Sequence, residues 1–384
     1  MTITSLSGIW LIALLVTPAL YWLSPVRFRD PMLALLTAGF LGYVAPESLV
    51  VLSLFAISTY WLTSGRPVRG WRAVAAGAIV VAVLLTYKYL AVSVPNTLAS
   101  QIIPLGLSFY SIRCLHYIVE RYKGSYAPHR FEDFVFYLFF LPTILAGPIH
   151  RFGEFARDRR RKRWDNALLA DGLERILYGY AKIAVVGNFL ISNRFASLID
   201  GIDPAHSALI EYLRILRHGF NLYFQFSGYS DVAIGFSLLL GYRVMENFDW
   251  PFFKKNISEF WRSWHISLTS WVREHVYMLG VVLTRSTLAA AILSMIALGM
   301  WHELSVRYIV WGAYHGIGIA VWQLFQKYKP PSLMAKNRFV IHATRALSVL
   351  VTFHFVMFGF AIVKEPTLEG AVRSLTTVLT FWVR

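Results

Sequence analysis

Apolar residues in this sequence fall into long continuous blocks, separated by shorter stretches that carry most of the charge. A helix needs about 20 residues to cross the hydrocarbon core of a bilayer, and many of the blocks approach that length. The pattern predicts an all-α polytopic membrane protein with roughly 11 transmembrane or re-entrant helices. The predicted segments are 8–25, 33–44, 47–64, 72–94, 102–119, 133–149, 168–192, 207–242, 286–303, 306–325 and 339–363, with a further one at 368–382.

Segment 133–149 conflicts with a simple crossing of the membrane. Basic residues flank it on both sides, at Arg130 and in the run from Arg157 to Arg163, and basic loops of membrane proteins remain in the cytoplasm. Because Pro142 and Gly147 interrupt the segment, we predict that it re-enters the membrane and turns back. Re-entrant backbone requires surrounding protein or a water-filled cavity. The alternative is a plain crossing at which the charge rule fails.

The chain shows no internal repeat and no linker, so a single integral-membrane domain over 1–384 is expected. Within it we expect peripheral spans at 1–130, a core at 131–325 and C-terminal spans at 326–384. The block 207–242 is too long for one straight crossing and contains several glycines, which predicts two helices. The first apolar block lacks the basic start of a signal peptide and is expected to remain as a span.

Composition excludes two other classes of protein. Hydrophobic residues make up 57% of the 384 residues and charged residues 15%, whereas soluble domains carry about 25% charged residues. An aromatic content of 16% excludes a disordered chain. The 37 basic and 21 acidic residues give a net charge of +16, which cytoplasmic loops explain better than nucleic-acid binding. The single cysteine, Cys114, excludes an intrachain disulfide and a multi-cysteine metal site, and we expect no metal.

A tryptophan-rich amphipathic helix is predicted over 257–275. Asn256, followed three residues later by Glu259, forms a capping box that places the start of this helix. Trp261 and His265 share one face at a spacing of four residues. We expect the helix to lie along the cytoplasmic interface, either as part of a site or as a tryptophan belt without chemistry.

His302 and Glu303 follow an apolar stretch that carries no charge from Leu288 to Trp301. An ionisable group at such depth is costly, so its default interpretation is functional. Imidazole also transfers protons near neutral pH. The alternative is a histidine held by a neighbouring carbonyl. His315, on the next apolar segment, is expected to be structural, because the glycines around it favour close helix packing.

Four pieces of the sequence, in this order, resemble the membrane-bound O-acyltransferase family. The resemblance is to its bacterial branch, which acetylates alginate and related polysaccharides or D-alanylates teichoic acids. The pieces are LPTILAGPIHRF at 141–152, FSGYSDVAIG at 226–235 with ENFDWPF at 246–252, EFWRSWHISLTSW at 259–271, and GMWHELSVRYIVWGAYHG at 299–316. The resemblance implies a ring of helices around a central funnel and makes 131–325 the catalytic core. Features of both activities occur, so the choice between them stays open.

The resemblance places the catalytic histidine on His302 and a second motif histidine on His265. Two positions depart from the family pattern, since Glu303 stands where glycine is usual and Gln225 where aspartate is common. Glu303 is expected either to face the funnel mouth or to raise the basicity of His302. We expect a substrate-binding role for seven residues: Trp261, Trp264, Trp301, Glu303, Asp231, Asn247 and Gln225.

The implied reaction is acyl transfer from a thioester to a hydroxyl group. The donor is expected on the cytoplasmic side of a bacterial inner membrane, as acyl-CoA or as an acyl group on the phosphopantetheine of a carrier protein. The acceptor is expected to be a cell-envelope polymer on the outer side, a membrane-carried glycan, or a partner protein that relays the acyl group. No bound cofactor is expected. The sequence contains neither a GxSxG elbow nor an HExxH motif, so covalent serine and zinc routes are unsupported.

Two other function classes stay open at this point. A proton-coupled transporter or flippase would use His302, Glu303 and Asp231 as a proton relay. No pair of halves with inverted hydropathy, which many transporters show, is apparent. The second alternative is a non-catalytic membrane scaffold that binds an acylated partner.

Overall fold

The computed structural model describes residues 3–65 (side chains from residue 12), 67–93, 104–145, 147–161, 163–328 and 338–380. These ranges are largely helical and contain no β-strand, as predicted. The chain forms two compact units. They are Met1–Gly179 with Tyr229–Met245, and Tyr180–Gly228 with Glu246–Arg384.

The first unit contains the N-terminal helices. They are α1 (Ile3–Leu23), α2 (Val26–Val44), α3 (Pro46–Leu62), α4 (Gly70–Ser93), α5 (Leu107–Tyr122), α6 (Phe131–Leu138), α7 (Phe152–Arg160) and most of α8 (Asn166–Tyr180). A short 3₁₀ turn at Leu141–Thr143 also belongs to this unit. Two others, Pro204–His206 and Pro251–Phe253, belong to the second unit.

Helix α8 continues into the second unit as a π-type helix, Ala181–Phe195, followed by α9 (Ala196–Asp200). Helix α10 (Ser207–Leu239) contributes to both units. The remaining elements are α11 (Ile257–Ser263), α12 (Ile266–Val272), the π turn Arg273–Tyr277, α13 (Met278–Thr284), α14 (Thr287–His302), α15 (Val306–Tyr328), α16 (Arg338–Lys364) and α17 (Leu368–Leu379).

Three helical stretches among the described residues are long and apolar enough to cross a membrane. They are Gly70–Ser93, Asn166–Asp200 and Arg338–Lys364, with lengths of 24, 35 and 27 residues. Pro46–Leu62 and Thr287–His302 are shorter apolar helices. The predicted total of roughly 11 transmembrane or re-entrant helices stays a prediction.

The prediction of two helices over 207–242 is wrong, because α10 is one continuous helix of 33 residues. Its glycines allow close packing instead of breaking the helix. A Cβ on Gly235 would lie 2.5 Å from the carbonyl oxygen of Gly172 on α8. The helix ends at Leu239. Gly241, two residues later, has a left-handed φ of +80°, and Tyr242 N–H donates back to Ser237 O at 2.9 Å.

Segment 133–149 is not a continuous helix. Helix α6 ends at Leu138 after 8 residues, about 12 Å of helix, which is far less than a bilayer requires. Side chains satisfy the irregular backbone that follows, and the wholly buried Arg113 is one of them. The bonds are Thr37 Oγ1 to Phe139 O (2.6 Å), Arg113 Nη1 to Leu138 O (3.4 Å) and Tyr137 Oη to His150 O (2.8 Å). The protein thus supplies the partners that re-entrant backbone needs, while the course through a membrane stays a prediction.

One residue of the basic run after this segment makes ion pairs within the protein. Arg159 on α7 donates from Nε to Asp30 at 2.6 Å and also pairs with Asp133. Tyr242 Oη donates to the same Asp30 carboxylate at 3.1 Å. These bonds fix α7 against its neighbours in the first unit.

Candidate active site

The hairpin of α14 and α15 carries His302 at its turn. Gly299 and Gly312 allow the two helices to approach, because a Cβ on either would overlap backbone atoms of the other helix. Helix α14 ends at His302 since Glu303 is extended, with φ −154° and ψ 138°. The Glu303 N–H still donates to Gly299 O at 3.0 Å. The histidine is therefore the last residue of a tightly packed helix.

The imidazole of His302 is exposed and has aromatic rings on several sides. The ring centroids of Trp301, Trp311 and Tyr308 lie 4.8, 5.6 and 5.9 Å away, and the Tyr308 ring is nearly parallel to the imidazole. Trp311 is itself buried. The side chain is thus oriented by aromatic walls while one part of it stays accessible to a reactant.

His265 lies at a break between α11 and α12, so the prediction of one continuous helix over 257–275 is wrong. The helix begins at Ile257 as predicted, with Asn256 Oδ1 accepting from Glu259 N at 2.9 Å. It ends at Ser263, because Trp264 is extended and His265 is left-handed with φ +46°. Trp261 and His265 therefore do not share one helix face.

Asn247 is the residue that holds this break in place. Its side chain is wholly buried, and Oδ1 accepts from Ser267 Oγ at 2.9 Å and from Ser267 N at 3.3 Å. Its main-chain oxygen accepts from Ile266 N at 3.0 Å. Since Asn247 is 20 residues earlier in the chain, sequence periodicity does not reveal this contact.

The ring of Trp301 lies close to both predicted motif histidines. Its ring centroid is 6.1 Å from that of His265 and 4.8 Å from that of His302. His265 is 2% exposed, and the edge-on ring of Phe226 lies 4.7 Å from it. The structure thus brings His302, Trp301 and His265 together, with one imidazole accessible and the other enclosed.

The other two predicted tryptophans, Trp261 and Trp264, pack against neighbouring aromatic rings. Trp261 packs edge-on against Trp311 at 5.7 Å and against His315 at 5.1 Å. Trp264 packs among the rings of Phe248 and Phe260, at 5.1 and 5.5 Å. Both indoles are less than a tenth exposed.

Glu303 makes a bidentate ion pair with Arg307, at 2.9 and 3.0 Å. Arg307 Nη1 also donates to the main-chain oxygen of Glu365. The carboxylate next to His302 is therefore engaged by a guanidinium. Arg307 is not among the predicted site residues, although its spacing of four residues from Glu303 is the one at which helical side chains pair.

Asp231 and Gln225 lie elsewhere on α10. Asp231 belongs to the first unit, where its carboxylate accepts from Arg175 Nε at 2.7 Å and is 4% exposed. Gln225 belongs to the second unit and donates from Nε2 to Asn188 Oδ1 at 2.6 Å. Both side chains are engaged with helix α8 or its π-type continuation.

Known proteins match this sequence over most of its length. The membrane-bound O-acyltransferase family matches residues 122–362. A probable alginate O-acetylase of Azotobacter vinelandii is 32% identical over 393 residues, which cover 94% of this chain and 75% of the relative. A teichoic acid D-alanyltransferase of Bacillus subtilis is 31% identical over 277 residues, covering 67% and 68%. A peptidoglycan O-acetyltransferase of Helicobacter pylori is 27% identical over 308 residues, covering 71% and 56%.

A helical membrane protein with paired motif histidines fits the class of membrane-embedded acyltransferases. The chain belongs to the membrane-bound O-acyltransferase family, and it is an acyltransferase.

Proposed function

We propose that the protein transfers an acyl group, of acetyl or D-alanyl type, from a cytoplasmic thioester to a hydroxyl of a cell-envelope polymer. The observation that carries this proposal is the exposed His302 beside Trp301, with the buried His265 near the same indole. One accessible base next to an enclosed polar group is the arrangement that general-base acyl transfer needs.

In the proposed reaction, His302 removes the proton from the acceptor hydroxyl. The oxygen then forms a bond to the thioester carbonyl carbon, and the carbon–sulfur bond breaks. The thiolate leaves with the proton that the imidazolium returns. A positioned base of this kind contributes about 10²–10⁴-fold to the rate. His265 supports the step by holding the donor or by stabilising the oxyanion, where a single hydrogen-bond donor contributes about 3 kcal/mol.

The donor and the location follow from the family resemblance. The donor is acyl-CoA or an acylated carrier protein on the cytoplasmic face of a bacterial inner membrane. The family arrangement, a ring of helices around a funnel with His302 at its bottom, would let an acceptor approach from the outer side. The acceptor is the hydroxyl of a polysaccharide, of a teichoic-acid-like polymer, or of a partner protein that relays the acyl group. The relatives are named for alginate, teichoic acid and peptidoglycan.

The structure does not favour the transporter alternative. A proton relay needs carboxylates that exchange protons with His302. The Glu303 carboxylate is engaged by Arg307, and the Asp231 carboxylate by Arg175. Because each carboxylate is engaged by a guanidinium, neither is placed to exchange a proton with His302.

Proteoliposomes distinguish these functions. Purified protein is reconstituted with labelled acetyl-CoA on one side and alginate, teichoic acid or peptidoglycan on the other. Label that becomes bound to polymer and is released by mild base supports the proposal. Label or polymer that crosses the membrane without forming an ester would show transport instead. A D-alanyl carrier protein replaces acetyl-CoA in a parallel assay.

A further inference from the structure

An open cavity of about 220 Å³ lies within the second unit. Helices α11 and α12 and the π turn line one side of it, and α14 and α15 line the other. Much of its wall is apolar, with Val272, Met295, Leu298 and Ile319 among the lining residues. Trp261, which packs against Trp311 beside His302, lines the cavity, but His302 and Trp301 are not among its lining residues.

Two buried polar atoms of the lining have no hydrogen-bond partner in the described part of the chain. One is Nε1 of Trp261, whose side chain is 7% exposed, and the other is Oε1 of Gln323. The indole N–H needs an acceptor and the amide oxygen needs a donor. Because buried polar groups are nearly always paired, a ligand that brings both an acceptor and a donor fits this cavity.

Two unpaired cations border the same cavity. Arg262 and Arg273 are exposed and line it, and neither side chain makes an ion pair or a hydrogen bond within the ranges that the structure describes. A guanidinium binds phosphate oxygens through two parallel hydrogen bonds. The chemistry at the rim is therefore that of a phosphate site.

The surface beside the cavity is apolar and exposed. Helix α13 directly follows Tyr277, which lines the cavity, and it presents four large apolar side chains. They are Met278, Leu279, Val282 and Leu283. In a membrane protein such a surface contacts acyl chains, so the cavity adjoins lipid.

We propose that this cavity binds the headgroup of an anionic phospholipid that carries hydroxyl groups, such as phosphatidylglycerol. Arg262 and Arg273 hold the phosphate, Trp261 donates to a phosphate or ester oxygen, and a glycerol hydroxyl donates to Gln323. The acyl chains lie outside, along α13. The volume supports a headgroup, since sites for drug-sized ligands occupy about 300–1,000 Å³ and a complete nucleotide thioester needs more room than this cavity offers. Basic pockets between membrane helices are known to bind anionic headgroups.

Native mass spectrometry of the purified chain in detergent tests the proposal. Phosphatidylglycerol, phosphatidylcholine or free CoA is titrated onto the wild type and onto the double variant Arg262→Gln/Arg273→Gln. We expect one tightly bound phosphatidylglycerol on the wild type, at least tenfold weaker binding to the double variant, and weak binding of phosphatidylcholine to both. The double variant Arg338→Gln/Arg345→Gln removes the same charge from α16 and should bind as the wild type does.

A second variant keeps the test decisive if the double variant does not fold. Gln323→Met removes the unpaired acceptor at similar volume, so it should weaken phosphatidylglycerol binding several-fold and raise the thermal midpoint of the lipid-free protein. Equal phosphatidylglycerol affinity in all variants would overturn the proposal. Equal binding of phosphatidylcholine, or displacement of the lipid by CoA, would also overturn it. Displacement by CoA would assign the cavity to the acyl donor, whereas the other outcomes leave the proposed acyl transfer at His302 unaffected.

Discussion

At the scale of single residues, the two motif histidines are held in opposite ways. His302 ends a helix with its imidazole exposed, whereas His265 is enclosed and adopts a left-handed backbone with φ +46°. A left-handed residue other than glycine costs about 1–2 kcal/mol, and asparagine tolerates this region better than most residues. The fold maintains His265 there because Asn247 binds the residues that follow the break. Local backbone strain of this kind is typical of functional sites.

Replacement of His265 by asparagine separates the effect of the left-handed backbone on stability from the effect of the imidazole on kcat. Asparagine accepts the left-handed backbone, so His265→Asn should keep a thermal midpoint close to that of the wild type. Its shorter side chain does not reach where the imidazole does, so kcat should fall by about 10²–10³-fold if His265 stabilises the oxyanion. Acyl-transfer kinetics and thermal unfolding check both parts, with His206→Asn on an exposed 3₁₀ turn as the control. A variant with the wild-type kcat would remove His265 from the reaction.

Asn247 should matter for stability more than an exposed asparagine does. Asn247→Ala leaves the N–H and hydroxyl of Ser267 buried without their acceptor, which costs about 1–3 kcal/mol. Asn188→Ala removes one hydrogen bond at an exposed site of the apolar stretch 166–200 and should cost less than about 1 kcal/mol, the average for hydrogen bonds between membrane helices. Denaturant or thermal unfolding in detergent measures both. Equal losses would show that Asn247 does not hold the break.

At the scale of elements, local patterns could be predicted and contacts distant in sequence could not. The capping box of Asn256 and Glu259 placed the start of α11, because its partners are three residues apart. The break at His265 was missed, because it is held by Asn247, which is 20 residues before its partner Ser267. Glycines on α10 were mistaken for helix breakers, although their role is contact with α8 and other neighbours. A single sequence does not show which glycine faces another helix.

A pair of glycine substitutions tests that interpretation of the α10 glycines. A Cβ on Gly235 meets the carbonyl of Gly172 at 2.5 Å, so Gly235→Ala should destabilise the protein by about 1–3 kcal/mol through overpacking. Gly39 on α2 has no atom within 4 Å of its would-be Cβ, so Gly39→Ala should be neutral or stabilise the protein by up to about 1 kcal/mol. The thermal midpoints of the two variants, each compared with that of the wild type, measure these effects. A neutral Gly235→Ala would contradict the packing role.

At the scale of the whole molecule, the sequence predicted a helical membrane protein of this family, and both statements are confirmed. Hydropathy was sufficient to predict a helical membrane protein, because a chain that crosses a bilayer as helices needs long apolar segments. The number of spans and their ring arrangement stay predictions, because several apolar helices are shorter than a bilayer crossing. The basic loops carry the only topological information in the sequence.

Cysteine labelling tests that topology with little background, because the single native cysteine, Cys114, is buried. Lys123→Cys and Arg161→Cys flank segment 133–149, and both should react with an impermeant maleimide only after the cells are permeabilised. His206→Cys, beyond the apolar stretch 166–200, should react in intact cells. If Lys123→Cys and Arg161→Cys label from opposite sides, the segment crosses the membrane and the re-entrant prediction is wrong.

The most direct test of the central claim compares two histidine variants in one acyl-transfer assay. The initial rate of transfer from a labelled acyl thioester to a hydroxyl acceptor is measured for the wild type, His302→Ala and His206→Ala. We expect His302→Ala to lose about 10²–10⁴-fold in kcat, the contribution of a general base, with its thermal midpoint retained. His206→Ala should match the wild type. A folded His302→Ala variant that transfers the acyl group at the wild-type rate would contradict the account.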